Sequence, residues 1–191
     1  MRIHSDNELL LTLDEFERLP DDDWRTELVR GRLVREPPAG MNHGRLACRV
    51  AVLISGFVER HALGEVYGSE TGFVLFDDPP TVRAPDAAFV STARLSSAED
   101  SIGFGRMAPD LAVEIVSPSN RATEIIDKAA DYIDAGTRLV WVVEPSRRCI
   151  AVYRSRNEIR LLQEGDVLDG YDVLPGFSIP VAEIFARSRG G

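Results

Sequence analysis

The middle third of the chain constrains its fold most. Residues 110–116 read Asp-Leu-Ala-Val-Glu-Ile-Val, a strand pattern with one acid, Glu114, held among apolar neighbours. Residues 122–135 set Ile125, Ile126, Ala129, Ala130 and Ile133 at helical spacing and stop at Gly136, a residue suited to a helix end. Residues 139–143, Leu-Val-Trp-Val-Val, form an unbroken apolar run of the kind expected in a strand buried on both faces. Strand, helix and buried strand in succession call for a layered α/β domain.

The flanking segments extend this pattern. From Asn42, apolar Leu46, Val50, Leu53, Ile54, Phe57 and Val58 recur with helical period over about five turns. Residues 66–76 and 86–90 are strand-like, so the core order is helix, three strands, helix, strand. Upstream, Thr12 with Glu15 three residues on is a capping box for a short helix. Residues 26–28 and 33–35 bracket Arg30-Gly31 as a β-hairpin, and Pro37, Pro38 and Gly40 break the chain after it. Downstream, residues 150–153, 159–162 and 171–174 suggest an antiparallel extension. With no repeat or long Gly/Ser linker, one domain is expected: an N-terminal arm (1–40), a core (41–154) and a C-terminal extension (155–191).

Composition narrows the function classes. A chain of 191 residues with 44% hydrophobic and 28% charged residues suits an ordinary soluble globular protein. No apolar run approaches the roughly 18 residues of a membrane span, and Met-Arg-Ile-His-Ser-Asp at the start lacks a signal-peptide pattern. Cys48 and Cys149 both sit in apolar sequence, which reads as buried reduced thiols and a cytoplasmic protein. A net charge of -9 counts against a simple nucleic-acid-binding module, since neutralising phosphates calls for basic patches. An acidic enzyme can still act on nucleic acid if arginines such as Arg45, Arg49, Arg83 and Arg121 line one groove and metal ions offset the site acids. Among 22 lysines and arginines the one lysine is Lys128, a compact point charge whose pKa responds to burial as arginine's does not.

Several residues could carry chemistry. Glu114, if buried, needs a partner or a metal; if its strand is half exposed, it points to solvent. Asp86 opens a strand after Pro85, and Asp110 opens another after Pro109, so two aspartates compete for one role. Lys128 lies one turn after Glu124 and one before Tyr132; it either pairs with Glu124 on the helix surface or supplies a cation to a site. His43 stands near the start of its helix, as a cap or a site group, while His4 and His61 read as surface residues. There is no Cys/His metal spacing, no phosphate-binding glycine loop and no Gly-x-Ser-x-Gly elbow.

Together these segments form a pattern. Glu27-Leu-Val-Arg-Gly-Arg-Leu, His43, Pro85-Asp86-Ala-Ala-Phe-Val, Val113-Glu114-Ile-Val-Ser-Pro-Ser, Lys128-x3-Tyr132 and Ala135-Gly136-x4-Trp141-Val-Val-x-Pro145 follow in one order. That order, over residues 12–185, resembles the Uma-type family of restriction endonucleases, part of the PD-(D/E)-x-K nuclease superfamily. The resemblance implies a restriction-endonuclease-like core, Asp86 and Glu114 as ligands of Mg²⁺ or Mn²⁺, and DNA as substrate. The usual motif lysine would fall at Val116, so the resemblance implies that Lys128 reaches the site from the following helix. Glu27, His43 and Tyr132 would complement it. The expected activity is metal-dependent hydrolysis of DNA phosphodiester bonds; the alternative is a non-catalytic domain that keeps the fold for protein or nucleic-acid interaction. A homodimer is expected because duplex DNA has two strands and because apolar Leu174, Phe177 and Phe185 look surplus to one core.

Overall fold

The computed structural model describes residues 10–20, 24–95 and 103–187. His4 and the acidic run 21–23 lie outside the described residues. The chain enters through a short helix, Leu13–Glu17 (α1), whose cap is the one its sequence encodes: the Thr12 amide donates to Glu15 Oε2 at 2.9 Å, and Thr12 Oγ1 accepts from the Glu15 amide at 3.3 Å. Arg25–Val29 (β1) and Arg32–Glu36 (β2) then form a hairpin. Its two-residue turn has φ of 50° at Arg30 and 78° at Gly31, the positive pair that a type I′ turn requires.

Met41–His61 (α2) leads into Gly64–Gly68 (β3). Phe73–Phe76 (β4) and Thr81–Arg83 (β5) follow, then Ala87–Ser91 (β6) and the single turn Thr92–Leu95 (α3). Residues 66–76, read from sequence as one strand, are therefore two strands in different sheets. The chain turns between Gly68 and Gly72, so β3 pairs with β6 while β4 pairs with β5. The order β2-β1-β5-β4 makes a small sheet whose inner face, Leu28, Val74 and Val82, packs with Phe16 of α1.

The large sheet holds the core. Leu111–Ile115 (β7) runs through Ala122–Asp134 (α4) to Leu139–Glu144 (β8), which lies parallel to β7, the one parallel pairing of the six-stranded order β10-β9-β8-β7-β6-β3. Cys149–Tyr153 (β9) and Ile159–Leu162 (β10) extend it antiparallel. Alternation along the strands feeds two layers. Leu111, Val113 and Ile115 pack with Leu46, Val50 and Ile54 of α2, whereas Ala112, Val140 and Val142 pack with Ala129 and Tyr132 of α4. Helix, three strands, helix, strand (α2, β3, β6, β7, α4, β8) is the expected core.

The C-terminal extension differs in detail. Residues 171–174 are a turn, not a strand; the pairing there is between Val167–Asp169 (β11) and Ser178–Pro180 (β12), followed by Val181–Phe185 (α5). Leu174, Phe177 and Phe185 are buried in the main core beside α2. They are no apolar surplus, so the surface motive for a homodimer is withdrawn. Cys149 is buried, but Cys48 is exposed, because its position on α2 faces away from the sheet; both are free thiols. No helix among the described residues is long and apolar enough to cross a membrane.

Candidate active site

The end of β7 is where the elements converge. Antiparallel pairing sets the start of β6 beside that end, and the crossover to β8 sends α4 back over it. The small sheet then lays β1 across the opening. A cleft of about 530 Å³ remains, bounded by the hairpin, the start of α2, the 117–120 loop and the first turns of α4.

Glu114 is buried and points to the α4 side. One helical face meets it with two residues four apart: Tyr132 donates from Oη to Oε1 at 2.8 Å, and Lys128 Nζ lies 3.0 Å from Oε2. Lys128 is itself buried and does not pair with Glu124, which caps the helix start by accepting from the Arg121 amide. Its second partner is Glu27, whose Oε1 is also 3.0 Å from Nζ. Glu27 takes the Ala84 amide at 2.8 Å and Arg83 Nη1 at 2.9 Å, and Arg83 continues to Asp131 at 2.6 Å.

Asp86 sits beside Glu114 at the edge. Its Oδ2 accepts from the amide of Ile115, the residue after Glu114, at 2.7 Å, and lies 3.2 Å from His43 Nε2. Its Oδ1 accepts from Arg25 Nη1 at 2.8 Å. Asp110 lies apart from Glu114: at the other end of β7, ~13 Å along the strand, it binds the Ser91 amide at 2.8 Å and Arg94 at 3.3 Å. Val116 packs in the α4 layer and brings no charge, and the ammonium beside Glu114 comes from Lys128.

The charges are far from their solution behaviour. Burial drives the Glu114 carboxyl up, Lys128 draws it back, and neighbouring Asp86 helps leave it at about 7. Burial would raise Glu27 too, but Lys128, Arg83 and the Ala84 amide outweigh it and bring Glu27 down to about 2. In Asp86 the same burial is overcome by the His43 hydrogen bond and the Arg25 charge, again to about 2. Burial would lower Lys128, but Glu114 and Glu27 more than offset it and keep the ammonium charged. The hydrogen bond to Asp86 raises His43.

The structure thus brings Asp86, Glu114, Lys128, Glu27, His43 and Tyr132 into one connected network. It adds three residues that sequence reading did not place there: Arg25, Asp131, and Arg83 as a buried partner of Glu27. Arg25 shares strand parity with Glu27, and Asp131 lies one turn from Lys128, so spacing held the signal. The imagined groove of Arg45, Arg49, Arg83 and Arg121 does not form. Arg45 and Arg49 bind the Ala186 and Glu183 carbonyls, while Arg121 stands exposed at the α4 start.

The donor chemistry can be matched to an ion. Asp86 and Glu114 offer hard carboxylate oxygens, each with lone-pair capacity beyond its present partners. No three His, Cys, Asp or Glu side chains among the described residues form a complete cage. A carboxylate pair without a cage fits Mg²⁺ or Mn²⁺ of the kind that keeps waters and shares its shell with substrate phosphate.

The Uma2 family model, described as "Putative restriction endonuclease", matches residues 13–182. The chain belongs to this family. Its fold is similar to the crystal structure of "a putative nuclease belonging to DUF820" from Anabaena variabilis ATCC 29413, with a TM-score of 0.81 at 20% identity. The match covers 92% of this chain and 97% of that one, and it is the fold that the two share. Comparison with curated proteins gave no match.

Proposed function

We propose that this Uma2 chain is a Mg²⁺- or Mn²⁺-dependent endonuclease that hydrolyses DNA phosphodiester bonds at the cleft. The observation that supports it most is the convergence of the chain's one lysine on Glu114, next to Asp86, at an open cleft. Asp86 and Glu114 would hold the ion, which supplies Lewis acidity at the phosphate and a bound water of lowered pKa. Lys128 offsets negative charge developing on the phosphate and orients the attacking water by hydrogen bonding. Glu27 fixes the ammonium in place, and Tyr132 fixes the Glu114 rotamer. His43 and the Ile115 amide do the same for Asp86. Cutting both strands of a duplex calls for two such sites, hence a homodimer in the working enzyme.

A specific observation favours the second reading, a non-catalytic nuclease-fold domain: the net charge is -9 and each of Arg25, Arg83 and Lys128 is already paired with an acid. Supercoiled and single-stranded DNA incubated with the protein in Mg²⁺ or Mn²⁺ separates the two. Wild type should nick either substrate, and Asp86→Asn or Glu114→Gln should lose at least tenfold, about 1.4 kcal/mol of barrier. An inert wild type, or variants as active as wild type, would leave the non-catalytic reading standing. Sedimentation showing only monomer with DNA present would remove the dimer.

A further inference from the structure

Arg25 stands where a divalent ion would have to work. Its Nη1 holds Asp86 at 2.8 Å, its Nη2 donates to the Ala84 carbonyl, and Glu36, its cross-strand partner, lies 3.7 Å away. The third face of the guanidinium differs: Nε is buried and meets no acceptor among the described residues. Leaving such a donor unmade is costly. A donor left unpaired in the wall of a cleft is available to an anion that enters it.

The position adds a second observation. Arg25 lines the catalytic cleft and also a neighbouring cleft of about 400 Å³ that contains Phe16, Trp24 and Phe104. It is therefore part of the wall between them. An arginine edge, Nε with an Nη released from its present acceptor, matches two oxygens of a phosphate, a geometry that lysine does not offer.

We propose that Arg25 is an exchangeable cation: it neutralises Asp86 in the metal-free protein, yields Asp86 when a divalent ion binds, and then grips a backbone phosphate through Nε and Nη. This rests on the nuclease reading of the same site and deepens it. On leaving Asp86, the side chain gives the ion an unshared carboxylate and opens the wall between the clefts, giving one strand a continuous track. The exchange balances when both acids are counted: the ion's two positive charges would meet Asp86 and Glu114, and the released guanidinium finds a new anion in the phosphate.

Mn²⁺ titrations followed by paramagnetic resonance test the exchange without any cleavage. Arg25→Gln should bind Mn²⁺ at least tenfold more tightly than wild type, since nothing competes for Asp86. Its affinity for a short fluorescent single-stranded oligonucleotide in Ca²⁺ should fall at least tenfold. An arginine that merely supported the fold would weaken both, so opposite signs are the signature. Arg25→Lys, which keeps the charge if the Gln variant folds poorly, should gain less in Mn²⁺ affinity and still lose the oligonucleotide. Unchanged or weaker Mn²⁺ binding in folded variants overturns the exchange. Asp86→Asn separates the two readings: if it abolishes Mn²⁺ binding while Arg25→Gln fails to tighten it, the exchange alone falls. If Asp86→Asn binds Mn²⁺ like wild type, the metal site itself is wrong.

Discussion

At the scale of single residues, Lys128 is the most exposed to test because two buried carboxylates depend on it. Lys128→Met keeps the stem but strands Glu27 and Glu114 without their shared cation. Removing one partner of a buried ion pair costs about 3–5 kcal/mol, so a large fall in Tm is expected along with loss of cleavage. Lys128→Arg keeps the charge yet brings a wide fork to a point 3.0 Å from both acids. Crowding of that kind costs about 1–3 kcal/mol, and cleavage should drop at least tenfold. A melting curve as stable as wild type for Lys128→Met would show that the ammonium does not bridge the two acids. The same residue explains what was legible. In a chain where nearly every cation is arginine, a lone lysine carries information, and the family resemblance turned it toward the site that holds Glu114. Arg25 and Arg83 were lost among many equivalents, although the strand parity of Arg25 with Glu27 was there to be read.

At the scale of elements, period and punctuation together decided what could be read. Helices α2 and α4 and strands β7 and β8 are long, apolar and bounded, so the core order was plain from sequence. The short strands were not: β5 has three residues, too few for a pattern, and β3 and β4 share an apolar character that hid the turn between Gly68 and Gly72. That turn matters because it diverts β4 and β5 to the small sheet and so brings Arg83 and β1 over the cleft. The pairing of β3 with β6 holds this arrangement, and two glycines of β3 test it differently. A Cβ at Gly64 would overlap the Val90 carbonyl oxygen on β6, whereas one at Gly68 would meet nothing within 4 Å. Gly64→Ala should therefore destabilise by about 3 kcal/mol or more, and Gly68→Ala should be near neutral. Equal melting temperatures for the two variants would contradict the β3–β6 register.

For the whole molecule, charge balance sets the conditions under which the site can work. A net charge of -9 repels DNA, and the buried cations are already matched to acids, so the proposed association with DNA would draw on added divalent ions. In a chelator the protein should not retain DNA at physiological salt, and Ca²⁺ should restore binding; retention in the chelator would refute this. The same balance shapes stability against pH. Glu27 and Asp86, held at about 2 against ordinary values of 4.5 and 3.8, add stability that is present above those ordinary values and lost as pH falls toward 2. Glu114 has the opposite sign. Raised from 4.5 to about 7, it adds stability that is complete below 4.5 and lost as pH climbs through about 7, where the buried carboxylate must ionise. The metal-free protein should therefore be most stable on the acid side of neutrality. On the proposed function, a divalent ion would bind the ionised carboxylate and displace its proton, and so remove the alkaline penalty. The rise in Tm on adding Mg²⁺ should then be larger at about pH 8 than at about pH 6. Glu114→Gln, which has no proton to displace, should lose most of that pH dependence. An increment that is the same at both pH values in wild type would mean that the ion does not take Glu114.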